Sequence, residues 1–235
     1  MSQVETARAT GVVLTAATRW EASPLRAGLR LRPAGRGMWI GRIGIRAVTL
    51  LKTGMGAPSA ASALSRLDLG DAAPSLIVSA GFAGALQDDL RTGDLVAEQL
   101  TPCPQAAKSL ESAAIGVRLV VRFGRIQHSD VVLTKSCEKL ECGRRTGALA
   151  VDMESAAIRA WARQHGLPAL AVRVILDEAA RDLPRDLPAG DSPLSLGFYA
   201  ATHPLAWPRL AALWPLQRRA ASALTSTMRA FLEAL

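Results

Sequence analysis

Short apolar runs alternate along this chain with Ala-rich stretches of helical length, and this alternation restricts the fold more than any other feature. Predicted strands cover Val12–Ala16, Leu76–Ser79, Leu95–Leu100, Val117–Arg122, Ala150–Asp152 and Ala169–Leu176, with a hairpin at Trp39–Ile40 and Ile43–Leu51. Predicted helices cover Ala60–Leu67, Leu133–Thr146 and Glu154–Gln164. Strands that alternate with helices favour an α/β domain with a largely parallel sheet that is covered on both faces.

The chain shows no repeat and no low-complexity linker, so we expect one domain over residues 1–235, with 203–235 as a C-terminal helical extension. Hydrophobic residues make up 49% of the 235 residues, which is enough for a sizeable core and excludes a disordered chain. No segment approaches the roughly 20 apolar residues of a membrane-spanning helix. The N-terminus lacks the pattern of a signal peptide. We therefore expect a cytoplasmic protein.

The formal net charge of +8 leaves three kinds of partner open: phosphate-bearing ligands, anionic membrane surfaces and nucleic acid. Nucleic acid is disfavoured, because only 4% of residues are aromatic and the basic residues follow no recognised binding motif. The three cysteines, Cys103, Cys137 and Cys142, are too few for a disulfide framework and lack the spacing of a zinc site. We expect reduced thiols and no bound metal.

Residues suited to ligand binding cluster where the predicted strands end. Ligands of parallel sheets bind beyond the carboxyl ends of the strands, which here are Thr53–Gly56, Ser79–Gly84, Asp152–Glu154 and Asp177. Gly54 and Gly56 would let the backbone approach a ligand, and the helix that follows would offer N–H groups to an anion or a hydroxyl. The alternative for such a short glycine motif is an ordinary turn between a strand and a helix.

Three acidic residues are candidates for chemistry, and each also has a plainer interpretation. Asp177 ends an apolar strand, where burial would raise its pKa and let it donate a proton; the alternative is an exposed acid at the start of a loop. Glu154 begins a helix, where it could accept two hydrogen bonds from a vicinal diol such as ribose, or serve only as a helix-terminal charge. Glu21 follows the first strand and could activate a water, or be a surface acid among basic neighbours.

Four segments, in this order, resemble motifs of the purine nucleoside phosphorylase and nucleosidase superfamily. They are Gly54–Ser59, Ser79–Leu86 (followed by Gly93–Val96), Val151–Ala157 and Arg173–Asp177, and the resemblance extends from Gly11 to about Leu183. It implies a single α/β domain with a mixed, twisted sheet surrounded by helices. It also implies an enzyme that cleaves the N-glycosidic bond of a purine nucleoside, with no cofactor or metal and with phosphate open as a co-substrate.

The same resemblance implies a role for each matched residue. Asp177 would protonate N7 of the departing purine, and Glu21 would activate the attacking water. Glu154 would hold the ribose hydroxyls, with Met153 packed on the sugar. Three groups would complete the substrate pocket: Ser79, Ala80, Gly81 and Phe82 as its lining, Val132 and Leu133 on the base, and Gly54, Met55 and Gly56 on the ribose and phosphate side.

Departures from the family pattern bear on the nucleophile. Ser79 and Phe82 stand where phosphorylases of the superfamily usually carry an Arg and a Ser that hold phosphate. Glu21 matches the glutamate that activates water in the nucleosidase branch. Both observations therefore favour water as the nucleophile. Against this, residues 58–59, Pro-Ser, resemble the phosphorylase form, and the arginines between Arg19 and Arg46 could supply a phosphate site.

Within the superfamily, the sequence is most similar to the branch of phosphorylases associated with hopanoid biosynthesis. The similarity lies in Glu138–Ser155, in Arg181–Pro184 and in a C-terminal segment rich in Pro, Trp, Leu and Arg. It implies an adenosine with a bulky 5′ lipid, adenosylhopane, as substrate. The alternative enzymes are a methylthioadenosine or adenosylhomocysteine nucleosidase and a general purine nucleoside phosphorylase. Two departures from the family pattern leave a non-enzymatic alternative open, namely Phe82 and Leu176, the latter at a position where the family has Ser. In this alternative the protein is a regulatory one that binds a nucleoside without cleaving it.

The C-terminal segment from His203 to Leu235 has a helical pattern, with Trp207, Leu210, Leu213 and Trp214 at helix-like spacing and the arginines Arg218, Arg219 and Arg229 beyond. One interpretation is a pair of helices that packs against the core or against a second subunit. The other is an amphipathic surface that meets a membrane or shapes an apolar entrance to the pocket. The family resemblance also implies a homodimer or a larger assembly.

Overall fold

The structure, a computed structural model, describes residues 11–67, 74–183 and 207–235, with side chains of the last segment from residue 214 onward. Its strands are β1 (Val12–Ala16), β2 (Arg32–Gly35), β3 (Met38–Ile43), β4 (Arg46–Lys52), β5 (Leu76–Ala85), β6 (Leu95–Gln99), β7 (Val121–Phe123), β8 (Ile126–His128), β9 (Ala150–Asp152) and β10 (Ala169–Asp177). Its helices are α1 (Arg19–Gly28), α2 (Ala57–Leu64), α3 (Pro104–Gly116), α4 (Ser136–Thr146), α5 (Ser155–Gln164) and α6 (Trp207–Ala234).

The strands form one mixed sheet in the order β2-β3-β4-β1-β5-β10-β6-β7, and β9 extends it by pairing with β5 and β8. The central strands β4, β1, β5 and β10 run parallel. The β2-β3-β4 meander, which contains the predicted hairpin, and the β10-β6 pair are antiparallel. The β6-β7 and β8-β9 pairs are parallel as well, and β5-β9 is antiparallel. The mixed sheet implied by the family resemblance is therefore confirmed, and the expected parallel pairing is found at its centre and in these two outer pairs.

Helices cover both faces of the sheet. Successive side chains of each strand point to opposite faces, so an apolar strand such as β1 contributes to the layer on each side. Val12 and Leu14 of β1 lie in the layer that α1, α3 and α6 build on one face. Val13 lies in the opposite layer, with Ala63 of α2 and Ile158 of α5. The single domain therefore has an apolar core on each side of the sheet, and its strand ends lie between these two layers.

Strand β5 runs beyond its predicted end at Ser79, and the additional residues form part of the site. Residues 80–83 continue beside β10 in parallel register, and Gly84 and Ala85 then pair antiparallel with β9. Because this stretch is mostly Gly and Ala, the apolar periodicity that predicts a strand is weak there, although the backbone remains paired, with one shift of register between Ile175 and Asp177 of β10.

Two helices, α1 and α3, have no counterpart among the predicted elements. Pro24 lies inside α1 and Pro104 opens α3, so each contains the residue that normally indicates a helix boundary. The strand predicted from Val117 begins only at Val121, since α3 occupies the preceding residues and Arg118 adopts a left-handed conformation with φ of 60°.

The described part of the C-terminal segment is one long helix, α6, and not the predicted pair. Leu224, Met228 and Phe231 are buried in the layer shared with α1 and α3, so this part of α6 belongs to the core. Residues 203–206, and the side chains of Trp207, Leu210 and Leu213, lie outside the described residues.

The cysteines of the chain are reduced. Cys103 and Cys142 are buried, Cys137 is exposed, and all three are thiols that form no disulfide. Within the described residues, none of the helices has the length and apolar character needed to cross a membrane. The same residues contain no group of three or more His, Cys, Asp or Glu side chains arranged to hold a metal ion.

Candidate active site

A cavity of about 230 Å³ lies at the carboxyl ends of β1, β5 and β10. It brings together all three acidic candidates, Glu21, Glu154 and Asp177. Most of its remaining wall is apolar and includes Met55, Phe82, Val132, Leu133, Met153 and Leu183. Among the described residues, no Lys or Arg side chain lines it. A larger open groove beside Arg159 and Arg163 contains none of the predicted site residues.

Glu21 is buried in the first turn of α1, and its position does not fit the alternative of a surface acid. Its Oε2 accepts hydrogen bonds from the backbone N–H (2.8 Å) and the hydroxyl (2.9 Å) of Thr18. Its Oε1 accepts a 2.7 Å hydrogen bond from the N–H of Phe82 at the end of β5. A Cβ at Gly81 would lie 2.6 Å from Oε1, so the glycine is required for the carboxylate to approach the strand.

Glu154 lies immediately before α5 and is held by the glycine turn after β4. Gly54 and Gly56 have φ values of +85° and +83°, which glycine adopts far more readily than other residues. This turn directs the Gly56 N–H at Oε1 of Glu154, 2.8 Å away. The carboxylate therefore makes its described hydrogen bond to a different element and not to the helix that it precedes.

Burial raises the pKa of Glu154 to about 7. The Arg173 guanidinium opposes this rise, whereas the nearby Glu21 carboxylate adds to it. Glu154 is thus partly protonated near neutral pH, and a positive charge that develops beside it would draw it into the ionised form.

Asp177 ends β10 with only 7% of its surface exposed, which contradicts the alternative of an exposed loop acid. Burial raises its pKa, and the ammonium of Lys139 acts in the opposite direction. The Lys139 Nζ lies 2.5 Å from Oδ2. Gly84 lies beside the carboxyl group, since a Cβ there would be 3.2 Å from Oδ2 and in contact with Val151.

Ser79, Ala80 and Gly81 do not line this cavity but a smaller pocket that shares Glu21 and Glu154 with it. The Ser79 carbonyl and hydroxyl accept hydrogen bonds of 2.6 and 2.8 Å from Arg173, which is itself buried. Arg173 also donates to Oδ2 of Asp152 through Nε (2.9 Å) and Nη2. This buried ion pair forms the floor beneath the acidic site.

Phe82, Val132 and Leu133 do line the cavity, together with Met55 and Met153. The wall is completed by Leu183, whose N–H donates to the carbonyl of Thr134 at 2.8 Å. Nearby, Asp182 accepts hydrogen bonds from the Lys135 ammonium (2.9 Å) and the Ser136 N–H (2.8 Å). The loop after β10 is therefore fastened to the start of α4, and Pro184 of the similarity segment lies outside the described residues.

Sequence reasoning missed two basic residues next to the site. Arg173 was noted only as part of a motif, although an arginine inside an apolar strand indicates a buried ion pair. Lys139 has no surface exposed, yet its helix alternates charged and apolar residues like a solvent-facing one. No local pattern distinguishes this lysine from those on the surface.

The fold and the site together define an α/β protein with an acidic, ligand-sized cavity at the strand ends, which is the usual ligand position in such sheets. Residues 12–98 and 96–212 match the family model of the phosphorylase superfamily, so the chain belongs to this superfamily. The resemblance stated from the motifs is thereby confirmed at the level of the superfamily.

Two curated relatives are phosphorylases. A DeoD-type purine nucleoside phosphorylase of Streptococcus gordonii is 31% identical over 150 residues, which cover 55% of this chain and 62% of the relative. A guanosine phosphorylase of Halorubrum lacusprofundi is 30% identical over 143 residues, which cover 53% of this chain and 58% of the relative. The chain thus spans about three fifths of the length of the curated relatives it matches.

Solved structures of nucleosidases have the same fold. A 5′-methylthioadenosine/S-adenosylhomocysteine nucleosidase from Neisseria meningitidis, in complex with methylthio-immucillin-A, superposes with a TM-score of 0.74 at 18% identity over 96% of this chain and 100% of that chain. An S-adenosylhomocysteine nucleosidase from Streptococcus pyogenes, in complex with 5-methylthiotubericidin, gives 0.74 at 20% identity over 98% and 99%. The futalosine hydrolase of Helicobacter pylori gives 0.68 at 16% identity over 93% and 97%. At these identities the likeness establishes the fold.

Proposed function

We propose that this protein cleaves the N-glycosidic bond of a purine nucleoside with water as the nucleophile. The observation that carries the proposal is the grouping of Glu21, Glu154 and Asp177 around one cavity whose described lining contains no Lys or Arg. Gathering three buried carboxyl groups around one cavity is unfavourable, even with Asp177 paired to Lys139, and such an arrangement is typical of sites that use the groups in chemistry. The same grouping argues against the alternative of a protein that only binds a nucleoside.

Asp177 is suited to assist departure of the base. Its raised pKa favours the protonated form. A protonated carboxyl can give its proton to N7 of the purine while the bond between C1′ and N9 breaks, so that the base leaves neutral with the bonding electron pair. The sugar is left with the positive charge of an oxocarbenium ion.

Glu154 is suited to stabilise that positive sugar and to orient it. The Gly56 N–H occupies Oε1, which leaves Oε2 available to ribose hydroxyls. With a pKa of about 7, Glu154 is ionised in a substantial fraction of the molecules at neutral pH, and this ionised form is the one that stabilises the cation. The carboxylate is already in place before the reaction, so little reorganisation is needed when the charge develops.

Glu21 is suited to take a proton from the attacking water. Thr18 occupies both lone pairs of Oε2, and the Phe82 N–H occupies one lone pair of Oε1, so Oε1 retains capacity for one further donor. The water would transfer one proton to Glu21 and bond to C1′ through its oxygen. Adenine and a free sugar would then be the products.

Phosphate is the alternative nucleophile, and the charge of the cavity disfavours it. A phosphate dianion would enter beside Glu21 and Glu154, while the buried Arg173 is already engaged by Asp152 and Ser79. We expect base release at the same rate with and without millimolar phosphate, and a reducing sugar as product. A strict phosphate requirement with a sugar 1-phosphate product would refute water as the nucleophile and leave bond cleavage intact.

We further propose that the substrate is an adenosine with a bulky apolar 5′ group, of which adenosylhopane is the example. The motif similarity to the hopanoid-associated branch supports this. So does the cavity wall, where Val131 is 65% and Val132 43% exposed. Apolar side chains left open beside a pocket gain free energy when an apolar ligand covers them.

The substrate proposal is tested by comparing kcat/KM for adenosine, 5′-methylthioadenosine and a lipid-substituted adenosine. We expect the lipid-substituted compound to be preferred. Val132→Ser should lower kcat/KM for that compound alone, and Val120→Ser, which changes a valine 77% exposed away from the cavity, should alter none of the three. A preference for 5′-methylthioadenosine would assign the protein to the methylthioadenosine nucleosidase type instead.

A peripheral membrane contact and a homodimer or larger assembly stay proposals. Trp214 is 55% exposed and packs edge-to-face on Trp20 at 6.2 Å between ring centroids, beside Arg218. Trp and Arg together are suited to an anionic lipid surface. Co-sedimentation with anionic vesicles at low and high salt tests the contact, and no binding under either condition would reject it. Size-exclusion chromatography with light scattering tests the assembly.

A further inference from the structure

A fully buried lysine contacts the candidate general acid, and the mechanism above gives it no part. Lys139 on α4 exposes none of its surface, which is rare because the ammonium loses its hydration. Its Nζ lies 2.5 Å from Oδ2 of Asp177 and donates to the carbonyls of Glu178 (3.2 Å) and Arg181 (2.8 Å). These three acceptors match the three N–H donors of an ammonium group.

We propose that Lys139 is a positioning residue that sets the orientation and the acidity of Asp177, an inference that rests on the proposed cleavage reaction. Because Lys139 holds Oδ2, it leaves Oδ1 to meet the base; in the described part of the chain, Oδ1 accepts from no other side chain. After Asp177 protonates N7, its carboxylate is stabilised by the ammonium 2.5 Å away. N7 gains the proton that Asp177 loses, and Lys139 stays an ammonium throughout.

Two opposing influences act on Asp177. Burial raises its pKa, and an acid that is too weak would keep its proton instead of giving it to the purine. Lys139 is the larger of the influences that lower the pKa, and Arg181 adds a smaller one. Lys139 therefore keeps a buried acid strong enough to transfer its proton.

The other charged groups near this pair do not replace Lys139. The Glu178 carboxylate accepts from the Thr92 N–H at 3.3 Å, and Asp182 is paired with Lys135 at 2.9 Å. The remaining charged residues on the adjoining elements are Arg181 on the loop after β10, Glu138 on α4, Glu21 on α1 and Glu154 before α5. Of the described cations, only Lys139 makes a side-chain contact with the Asp177 carboxyl group.

A purely structural role is the alternative, since Lys139 also ties the loop after β10 to α4. The two roles differ in their pH dependence. Asp177 acts in its protonated form, so activity falls as the pH rises through its pKa. Lys139→Met removes the cation but keeps an apolar side chain of similar length, so the pKa of Asp177 should rise. The alkaline limb of the kcat–pH profile should then move to higher pH by about 1–3 units. At neutral pH, kcat falls by about tenfold because the acid is weaker.

If Lys139 had only a structural role, Lys139→Met would be less active at every pH, and the alkaline limb of its kcat–pH profile would stay at the wild-type pH. The experiment therefore compares kcat–pH profiles of the wild-type chain, Lys139→Met, Lys139→Arg and Lys135→Met. Lys139→Arg keeps the charge and should keep the limb near its wild-type position. Lys135→Met, which removes the exposed pair between Asp182 and the residue just before α4, should keep the alkaline limb at its wild-type pH, because Lys135 makes no contact with Asp177.

A second readout does not depend on turnover. Carboxyl ¹³C NMR of Asp177, assigned with Asp177→Asn, should show a titration at higher pH in Lys139→Met than in the wild type. An unshifted limb together with an unshifted titration overturns the proposal. Loss of the folded state in both Lys139→Met and Lys139→Gln also overturns it, because Lys139 would then be a structural residue. A wild type that cleaves no nucleoside, with the Asp177 titration still raised in Lys139→Met, refutes the proposed reaction and supports the coupling of the two residues.

Discussion

Replacing Glu154 by Gln should stabilise the protein above neutral pH, because burial makes the charged form of this group unfavourable. The pKa of Glu154 is raised from 4.5 to about 7 in the folded protein. The folded state therefore holds a proton that the unfolded state has released over this pH range, and wild-type stability falls as the pH rises from 4.5 to 7. With about 1.36 kcal/mol for each pH unit, the fall amounts to at most about 3 kcal/mol.

Gln carries no charge and keeps an oxygen that can accept from the Gly56 N–H, so the variant should lack this pH dependence. We expect Glu154→Gln and the wild type to differ little at pH 4, and the variant to be the more stable by up to about 3 kcal/mol at pH 8. Urea unfolding at a series of pH values measures the free energy of unfolding of both proteins. Comparing the two curves removes the contributions of all other titrating groups that the substitution leaves unchanged.

A matched control is Glu233→Gln on α6, which changes a glutamate that is half exposed and paired with Arg229 at 3.1 Å. Exposed pairs of this kind contribute less than about 1 kcal/mol, so its stability should follow the wild-type curve. If the difference between Glu154→Gln and the wild type does not grow between pH 4.5 and 7, the reasoning from burial is refuted. The same variant should lower kcat/KM, since it offers no negative charge to the sugar.

Two further substitutions test the site directly. Asp177→Asn should fold and lose about 10²–10⁴-fold in kcat, because an amide cannot supply the proton to the purine. The assay is the release of adenine, and wild-type turnover would refute Asp177 as the general acid. Gly81→Ala should lower both stability and activity, since its Cβ would lie 2.6 Å from Oε1 of Glu21. Gly116→Ala, where a Cβ meets nothing within 4 Å, is the control for urea unfolding.

The three acidic candidates were predictable because each lies where a predicted element ends or begins. Glu21 follows β1, Glu154 precedes α5 and Asp177 ends β10. Strands β1, β5 and β10 are parallel neighbours, so their carboxyl ends meet at one edge of the sheet, which brings Glu21 and Asp177 together. Glu154 follows β9, which pairs antiparallel with β5, so the rule of parallel strand ends does not place this residue.

The placement of Ser79–Phe82 could not be predicted from the motif alone. The resemblance implies that all four residues line the pocket. In the structure Phe82 lines the main cavity together with the next two residues of β5, Ala83 and Gly84. Ser79 accepts hydrogen bonds from Arg173 and, with Ala80 and Gly81, lines a smaller pocket that shares Glu21 and Glu154 with the main cavity. The residues nearer the carboxyl end of β5 therefore line the main cavity, and the apolar pattern does not mark where that strand ends.

Lys139 could not be found because its surroundings come from distant parts of the sequence. Its partner Asp177 lies 38 positions further on, and its remaining acceptors are the carbonyls of Glu178 and Arg181. A helix rich in charged residues predicts a solvated face, and only the folded loop after β10 encloses this one side chain. Burial that depends on a loop of irregular structure leaves no periodic signal in the sequence.

The glycine turn after β4 is better understood as a support for an acid than as a cradle for phosphate. Its Gly56 N–H was expected to be open to an anion or a hydroxyl, but it donates to Glu154 at 2.8 Å. The N–H of Phe82 at the end of β5 likewise donates to Glu21 at 2.7 Å. Backbone donors that would have attracted an anion are thus engaged by carboxyl groups of the protein itself. The cavity consequently offers hydrogen-bond acceptors, as the proposed reaction with ribose hydroxyls and water requires, and its ionised carboxylates would repel a phosphate ion.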